Sequence, residues 1–183
     1  MKIQLAITDD AIDRCFPVMA QLRPHLAREN FATQVCRQRA GGYQLAYLED
    51  GDTIHTVAGF RVEEKLAHGV HLYIDDLVTD AQARSGGYGA AMLAWLTDFA
   101  REHGCASLAL DSGVQRGRAH RFYCTRGLQI SSYRFQQALA CANQKDRCFQ
   151  PNCHSVAAVP PRIHCRSSAL SSIAAANSSS VCA

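Results

Sequence analysis

No stretch of this chain approaches the ~18 consecutive apolar residues that a membrane-spanning helix needs, which argues against a membrane partner. The opening MKIQLAITDD turns acidic after seven residues. It therefore lacks the apolar core of a secretory signal, and the expected compartment is the reducing cytoplasm. Nine cysteines are present but no C-x-x-C pair, so free thiols are expected rather than disulfides. Excess charge is missing too: residues 1–139 hold 15 Lys/Arg against 15 Asp/Glu. A neutral domain offers no basic surface to a phosphodiester backbone, so no nucleic-acid partner is expected.

The formal +3 of the whole chain comes from residues 140–183, where four basic groups face only Asp146. This segment lacks periodicity. Pro160-Pro161 interrupts it, and Ala169–Ala183 is almost entirely Ser and Ala. It reads as a disordered, non-domain extension. Its Cys148, Cys153, His154, His164 and Cys165 invite a zinc reading, but their spacing matches no standard pairing, and no metal is expected. The 139 residues before it suffice for one domain, and no internal repeat divides them.

Within that domain the periodicity changes midway. Lys2–Ile7 alternates like a strand. Thr8 or Asp9 can cap a helix reaching about Arg23, which Pro17 should bend or divide. A second helix fits Arg28–Arg39 and stops at Gly41-Gly42. Tyr43–Glu49, Thr53–Lys65 and Val70–Thr79 are strand-like and joined by turns, an antiparallel meander. The remainder reads helix through His103, strand at Ser107–Asp111, helix at Arg118–Arg126 and a last strand at Leu128–Leu139. A strand–helix–strand step implies parallel pairing.

The chemistry-bearing segment joins the meander to this second half: Arg84-Ser85-Gly86-Gly87-Tyr88-Gly89-Ala90 lies between a strand end and a helix start. Glycines let a backbone pass close to a ligand, and the first N–H groups of a helix lack internal partners. With the helix dipole they make a site for phosphate or pyrophosphate. The P-loop is excluded, because no Gly-Lys-Ser/Thr follows. The dinucleotide fingerprint is excluded as well, because Met92 occupies the third glycine position.

This segment resembles the Q/R-x-x-G-x-G/A signature of the GNAT superfamily of N-acetyltransferases. Ala119-His120-Arg121-Phe122-Tyr123-Cys124-Thr125-Arg126-Gly127-Leu128 is similar to the family's A-x-x-F/L-Y-x-x-x-G-F element, and Ile74-Asp75-Asp76-Leu77-Val78 is similar to its acidic-then-apolar fourth strand. The resemblance covers about residues 40–139 well. It implies an α/β (α+β) fold: a mixed, mostly antiparallel sheet with a β-α-β-α-β second half, flanked by helices.

The resemblance also implies roles. The donor would be acetyl-CoA. Leu77, Val78 and Thr79 would offer main-chain groups to its pantetheine arm, and Ser85, Gly86, Gly87, Tyr88, Gly89 and Ala90, with Arg84 leading in, would hold its pyrophosphate. Tyr123 would protonate the departing thiolate, as a phenol that stays protonated at neutral pH can. Asp75 or Asp76 would take the proton of the attacking amine. Adjacent strand residues face opposite ways, so at most one of the two should face the cleft. Arg116 stands where the family often has Asn, and an arginine there could reach a phosphate or the pantetheine. His120 reads as a surface histidine and Cys124 as a packing residue.

The expected activity is acetyl transfer to a primary amine of a small molecule or protein, by direct attack in a ternary complex. A degenerate acyl-CoA-binding sensor or scaffold is the alternative, and a homodimer is allowed. Glu63, Glu64, Asp75 and Asp76 would suit a cationic acceptor, although solvated surface carboxylates are commoner.

Overall fold

A computed structural model of the chain describes residues 1–139; the extension 140–183, with its expected disorder and its cysteine–histidine set, lies outside the described residues. Strand β1 (Lys2–Leu5) leads into α1 (Asp9–Leu22) and α2 (Arg28–Arg39), followed by β2 (Tyr43–Asp50), β3 (Thr53–Lys65) and β4 (Gly69–Thr79). A short 3-10 turn (Ala81–Ala83) then precedes α3 (Tyr88–Glu102), β5 (Ser107–Leu110) and α4 (Gly117–Thr125). The five strands form one sheet in chain order; β1 to β4 are antiparallel and β5 joins β4 in parallel. This is the expected mixed α/β class.

Local chemistry explains most boundaries. Thr8 caps α1, its side chain accepting from the Ala11 amide at 3.2 Å. Gly42 takes a positive φ of 84° after α2, a turn a side chain would strain. Pro17 does not divide α1. The helix runs on through it, without the one hydrogen bond proline cannot donate.

Two cores lie on opposite faces of the sheet. Ile12, Val18 and Met19 of α1 and Phe31 and Val35 of α2 pack against Tyr43, Leu45, Tyr47, Val57 and Val78. Met92, Leu93, Leu96 and Ala100 of α3 pack against Ala46, Leu48, Phe60, Leu72 and Ile74, with Phe122 and Tyr123 of α4 at the margin.

One expected element is missing. Residues 128–139 form no strand, so the second half stops at β4-α3-β5-α4 within the described residues. The physical reason lies in the phase of the segment. Leu128 and Ile130 alternate in one phase, Tyr133 and Phe135 in the other, so no single face is apolar. Ile130, Tyr133 and Phe135 are all exposed, and the available neighbour, β5, is only four residues long. A 2.6 Å ion pair between Arg134 and Asp111 still ties the segment back to the end of β5.

Candidate functional site

The site is built where β4 outruns its neighbour. The β4–β5 ladder pairs His71 to Ile74 with Ser107 to Leu110 and stops there. From Asp76 to Thr79, β4 stays paired to β3, but its other edge carries no strand among the described residues. Main-chain groups of Leu77, Val78 and Thr79 stand on this stretch, open to an extended ligand that would add as a strand. Ser112, two residues past β5, has a buried hydroxyl with no hydrogen-bond partner among the described residues.

The open edge runs into the glycine loop. Asp80 anchors the turn, accepting from the Gln82 amide at 2.8 Å and from Gln21 of α1 at 2.7 Å. The Gln21 contact, chiefly, holds the Asp80 carboxyl below its ordinary pKa. Ser85 and Gly87 both take positive φ, 70° and 85°. Ser85 is the single non-glycine residue to do so among the described ones. The Gly86 amide is spent on Ala83 O at 3.3 Å. No protein acceptor is found for the amides of Ser85, Gly87, Tyr88, Gly89 and Ala90 among the described residues. Five free donors at the positive end of a fifteen-residue helix have the chemistry to receive an anion. Arg84 and Arg116 are both exposed, and neither has an acidic partner among the described residues.

Gly89 is where three elements converge. A β-carbon there would lie 3.0 Å from Thr79 Oγ1 and 3.7 Å from Phe122 Cζ. Its missing side chain therefore lets the start of α3 settle against the end of β4 and against α4. Tyr123 follows Phe122 on α4, half-buried, its hydroxyl without a protein hydrogen bond among the described residues. Burial raises its pKa above the phenol's usual value, partly offset by the charge of Arg116, so the proton is kept through the neutral range. The neighbouring Cys124 is exposed, not packed as expected.

The two aspartates depart from simple alternation. Gly59 pairs with Asp76 and Phe60 with Ile74, leaving Asp75 as the extra residue of a bulge in β4. The expectation that Asp75 and Asp76 face opposite ways is therefore corrected: both reach groups on the α1–α2 face. Asp76 accepts from Arg23 Nε at 2.7 Å and from the Tyr43 hydroxyl at 3.1 Å. Asp75 accepts from Arg61 Nε at 2.9 Å, while Arg61 also holds Gly41 O and Gln38 and lies over the Tyr43 ring. Desolvation raises the pKa of Asp75 and outweighs the opposing charge of Arg61.

Glu63 is also engaged, by Lys65 and His71. Three of the four acidic residues, Glu63, Asp75 and Asp76, thus have cationic partners within the protein. Sequence reading missed Tyr43, Gly59, Arg23 and Arg61. A glycine within the long β3 run was the one available sign of a close approach there.

Comparison with known proteins follows the same lines. A sequence model of the acetyltransferase (GNAT) family matches residues 7–128. An uncharacterized N-acetyltransferase, YhdJ, of Bacillus subtilis is 38% identical over 125 residues, spanning 67% of this chain and 87% of that protein. The aminoalkylphosphonate N-acetyltransferase of Salmonella typhimurium is 32% identical over 98 residues, covering 53% of this chain and 62% of its own length. Among solved structures, a transcriptional regulator from Bacillus halodurans superposes with a TM-score of 0.66 at 21% identity, covering 75% of this chain and 99% of that one.

Proposed function

The chain belongs to the acetyltransferase (GNAT) family and is an acetyltransferase; from that premise we propose that it moves the acetyl group of acetyl-CoA to a primary amine by direct attack in a ternary complex. The observation that carries the reading is the convergence at Gly89, which joins the unpaired β4 edge, the free amides of the loop and the tyrosine helix in one place.

In this reading Leu77, Val78 and Thr79 receive the pantetheine amides as an added strand would. The amides from Ser85 to Ala90, apart from Gly86, receive the diphosphate, aided by Arg84 and Arg116. The amine nitrogen attacks the thioester carbon. Its proton passes, directly or through water, to Asp75, whose basicity desolvation raises; Asp76, held by Tyr43 and Arg23, is the alternative acceptor. As the carbon–sulfur bond breaks, the Tyr123 phenol gives its proton to the thiolate, and solvent restores it. Most of the rate comes from positioning and the proton transfers. No metal is invoked.

The acceptor is a small-molecule or protein amine. Because Arg23 and Arg61 balance the two aspartates, an amine that also carries an acid group fits this end better than a polyamine does. The Salmonella relative is named for substrates of that kind. The proposed setting is the cytoplasm, with no membrane or nucleic-acid partner.

The test is thiol release from acetyl-CoA against a panel of aminoalkyl acids, aminoalkylphosphonates, polyamines and peptides, run on the wild type and Tyr123→Phe. The variant should bind coenzyme A as the wild type does and turn over about 100-fold more slowly, the lower end of what a general acid contributes. Equal turnover would remove Tyr123 from the mechanism. Coenzyme binding without thiol release on any amine would favour a sensor.

A further inference from the structure

The loop that faces the diphosphate is held by a ring contact outside its own motif. Tyr88, the first residue of α3, stacks its ring on the imidazole of His55, with centroids 4.3 Å apart and planes 16° from parallel. His55 belongs to β3, 33 positions earlier in the chain. Three further features belong to this stack. The carbonyl of His55 accepts the Asp80 amide at 2.8 Å, which pins the start of the loop to the same residue. One position on, the hydroxyls of Thr56 and Thr79 meet at 3.0 Å, closing β3 onto the end of β4.

Gly86 supplies the third feature. Its φ is not positive, so backbone conformation does not require glycine there. A β-carbon at Gly86 would instead lie 2.8 Å from Tyr88 Cε2 and 3.1 Å from Cδ2. The first glycine of the run thus makes room for the tyrosine ring. Tyr88 folds back beside Gly86 and rests on His55, and Gly86 is flanked by the positive-φ residues Ser85 and Gly87, whose amides are free among the described residues. Such a loop pays its ordering entropy on binding unless something orders it beforehand.

We propose that His55 is a positioning residue for donor capture: stacked on Tyr88, it sets the loop in its anion-receiving shape before the diphosphate arrives. The proposal rests on the reading that this loop binds the diphosphate of acetyl-CoA. His55 itself need not touch the ligand. Its contribution is to the affinity for donors that carry the diphosphate, not to the chemical step.

The experiment uses the full chain and three substitutions. His55→Ala removes the ring, His55→Phe restores a flat face, and His55→Asn keeps polarity without a ring should alanine alter the melting curve. Calorimetry with coenzyme A should show binding weakened about three- to tenfold in the Ala and Asn variants, the range an aromatic pair commands. The Phe variant should return to within about twofold of wild type. Steady-state assays should show the same rise in KM for acetyl-CoA at unchanged kcat, and no change in kcat/KM for acetyl-pantetheine, which lacks the diphosphate. Wild-type affinity in both ringless variants would overturn the proposal. So would a Phe variant no better than alanine, or an equal loss with acetyl-pantetheine. Absence of coenzyme A binding by the wild type would instead sink the underlying reading, and is visible before any variant is made.

Discussion

The contacts around Asp76, at the proposed acceptor end, depend on a residue without a side chain, Gly59. Tyr43 on β2 reaches Asp76 on β4 only by laying its ring across β3 at Gly59. A β-carbon at Gly59 would overlap the Tyr43 hydroxyl and sit 2.7 Å from Cε2. Tyr43 is buried, packed in the core under α1 and α2, where a shift of the ring disturbs its neighbours. Its pKa is driven well above the usual phenol value by burial first and by Asp76 second, so the hydroxyl is a committed donor to that carboxylate. Gly59→Ala is therefore expected to destabilise the protein by about 2–4 kcal/mol, the cost of overpacking plus one buried hydrogen bond. Tyr43→Phe, which removes only the hydroxyl, should cost about 1 kcal/mol. Urea unfolding measures both, and a Gly59→Ala midpoint at the wild-type value would show that the ring does not depend on that gap.

At the scale of elements, α1 carries an avoidable defect. Pro17 lies in the interior of Asp9–Leu22, on the exposed side, and forgoes one backbone hydrogen bond. Pro17→Ala should raise stability by about 1–2 kcal/mol: up to about 3 from helix propensity, reduced by the greater entropy alanine gives the unfolded chain. The thermal midpoint should rise accordingly, and an unchanged midpoint would mean that α1 is already adapted to its proline. The same helix illustrates what a sequence discloses. Its cap was legible to within one residue, Thr8 or Asp9, and so was the span of α2, because capping and helical periodicity are local signals. The span of β3 was legible because Thr, Val, Ile and Phe run between two turns. The glycine loop was legible because a strand end, several glycines and a helix start are contiguous. The β4 bulge was not legible, since it depends on how Gly59 and Phe60 pair with a strand more than ten residues away. For the same reason the pairing of Asp75 and Asp76 with Arg61 and Arg23, and the His55–Tyr88 stack, could not be read from spacing. The closing strand at 128–139 was expected from composition, but its alternation changes phase at Ser131-Ser132, a detail on which strand formation turns.

For the molecule as a whole, the two cores together draw on residues from Ile3 to Leu128, and the groups assigned to the site lie between Tyr43 and Tyr123, apart from Gln21 of α1, Arg23 just after it, and Gln38 and Gly41, which hold Arg61. Met1–Ala138 forms a compact unit, and its charges balance without the excess basic groups that follow. We propose on these grounds that residues 1–139 are the autonomous acetyltransferase domain and that 140–183 is an extension with no part in the fold or the chemistry. Stability should then follow the apolar area buried in the two cores, which removal of the extension leaves untouched. A chain ending at residue 139 should melt within about 2 °C of the full-length protein, because only a loss of more than roughly half a kcal/mol would shift the midpoint further in a domain of this size. It should also keep the kcat/KM of the full chain for acetyl-CoA. Limited proteolysis of the full chain should converge on the same fragment, since cleavage concentrates where backbone is neither buried nor hydrogen-bonded. A truncated chain that melts well below the full-length protein, or a full chain that resists cleavage beyond residue 139, would place the extension inside the domain and require a core larger than the one its first 139 residues build.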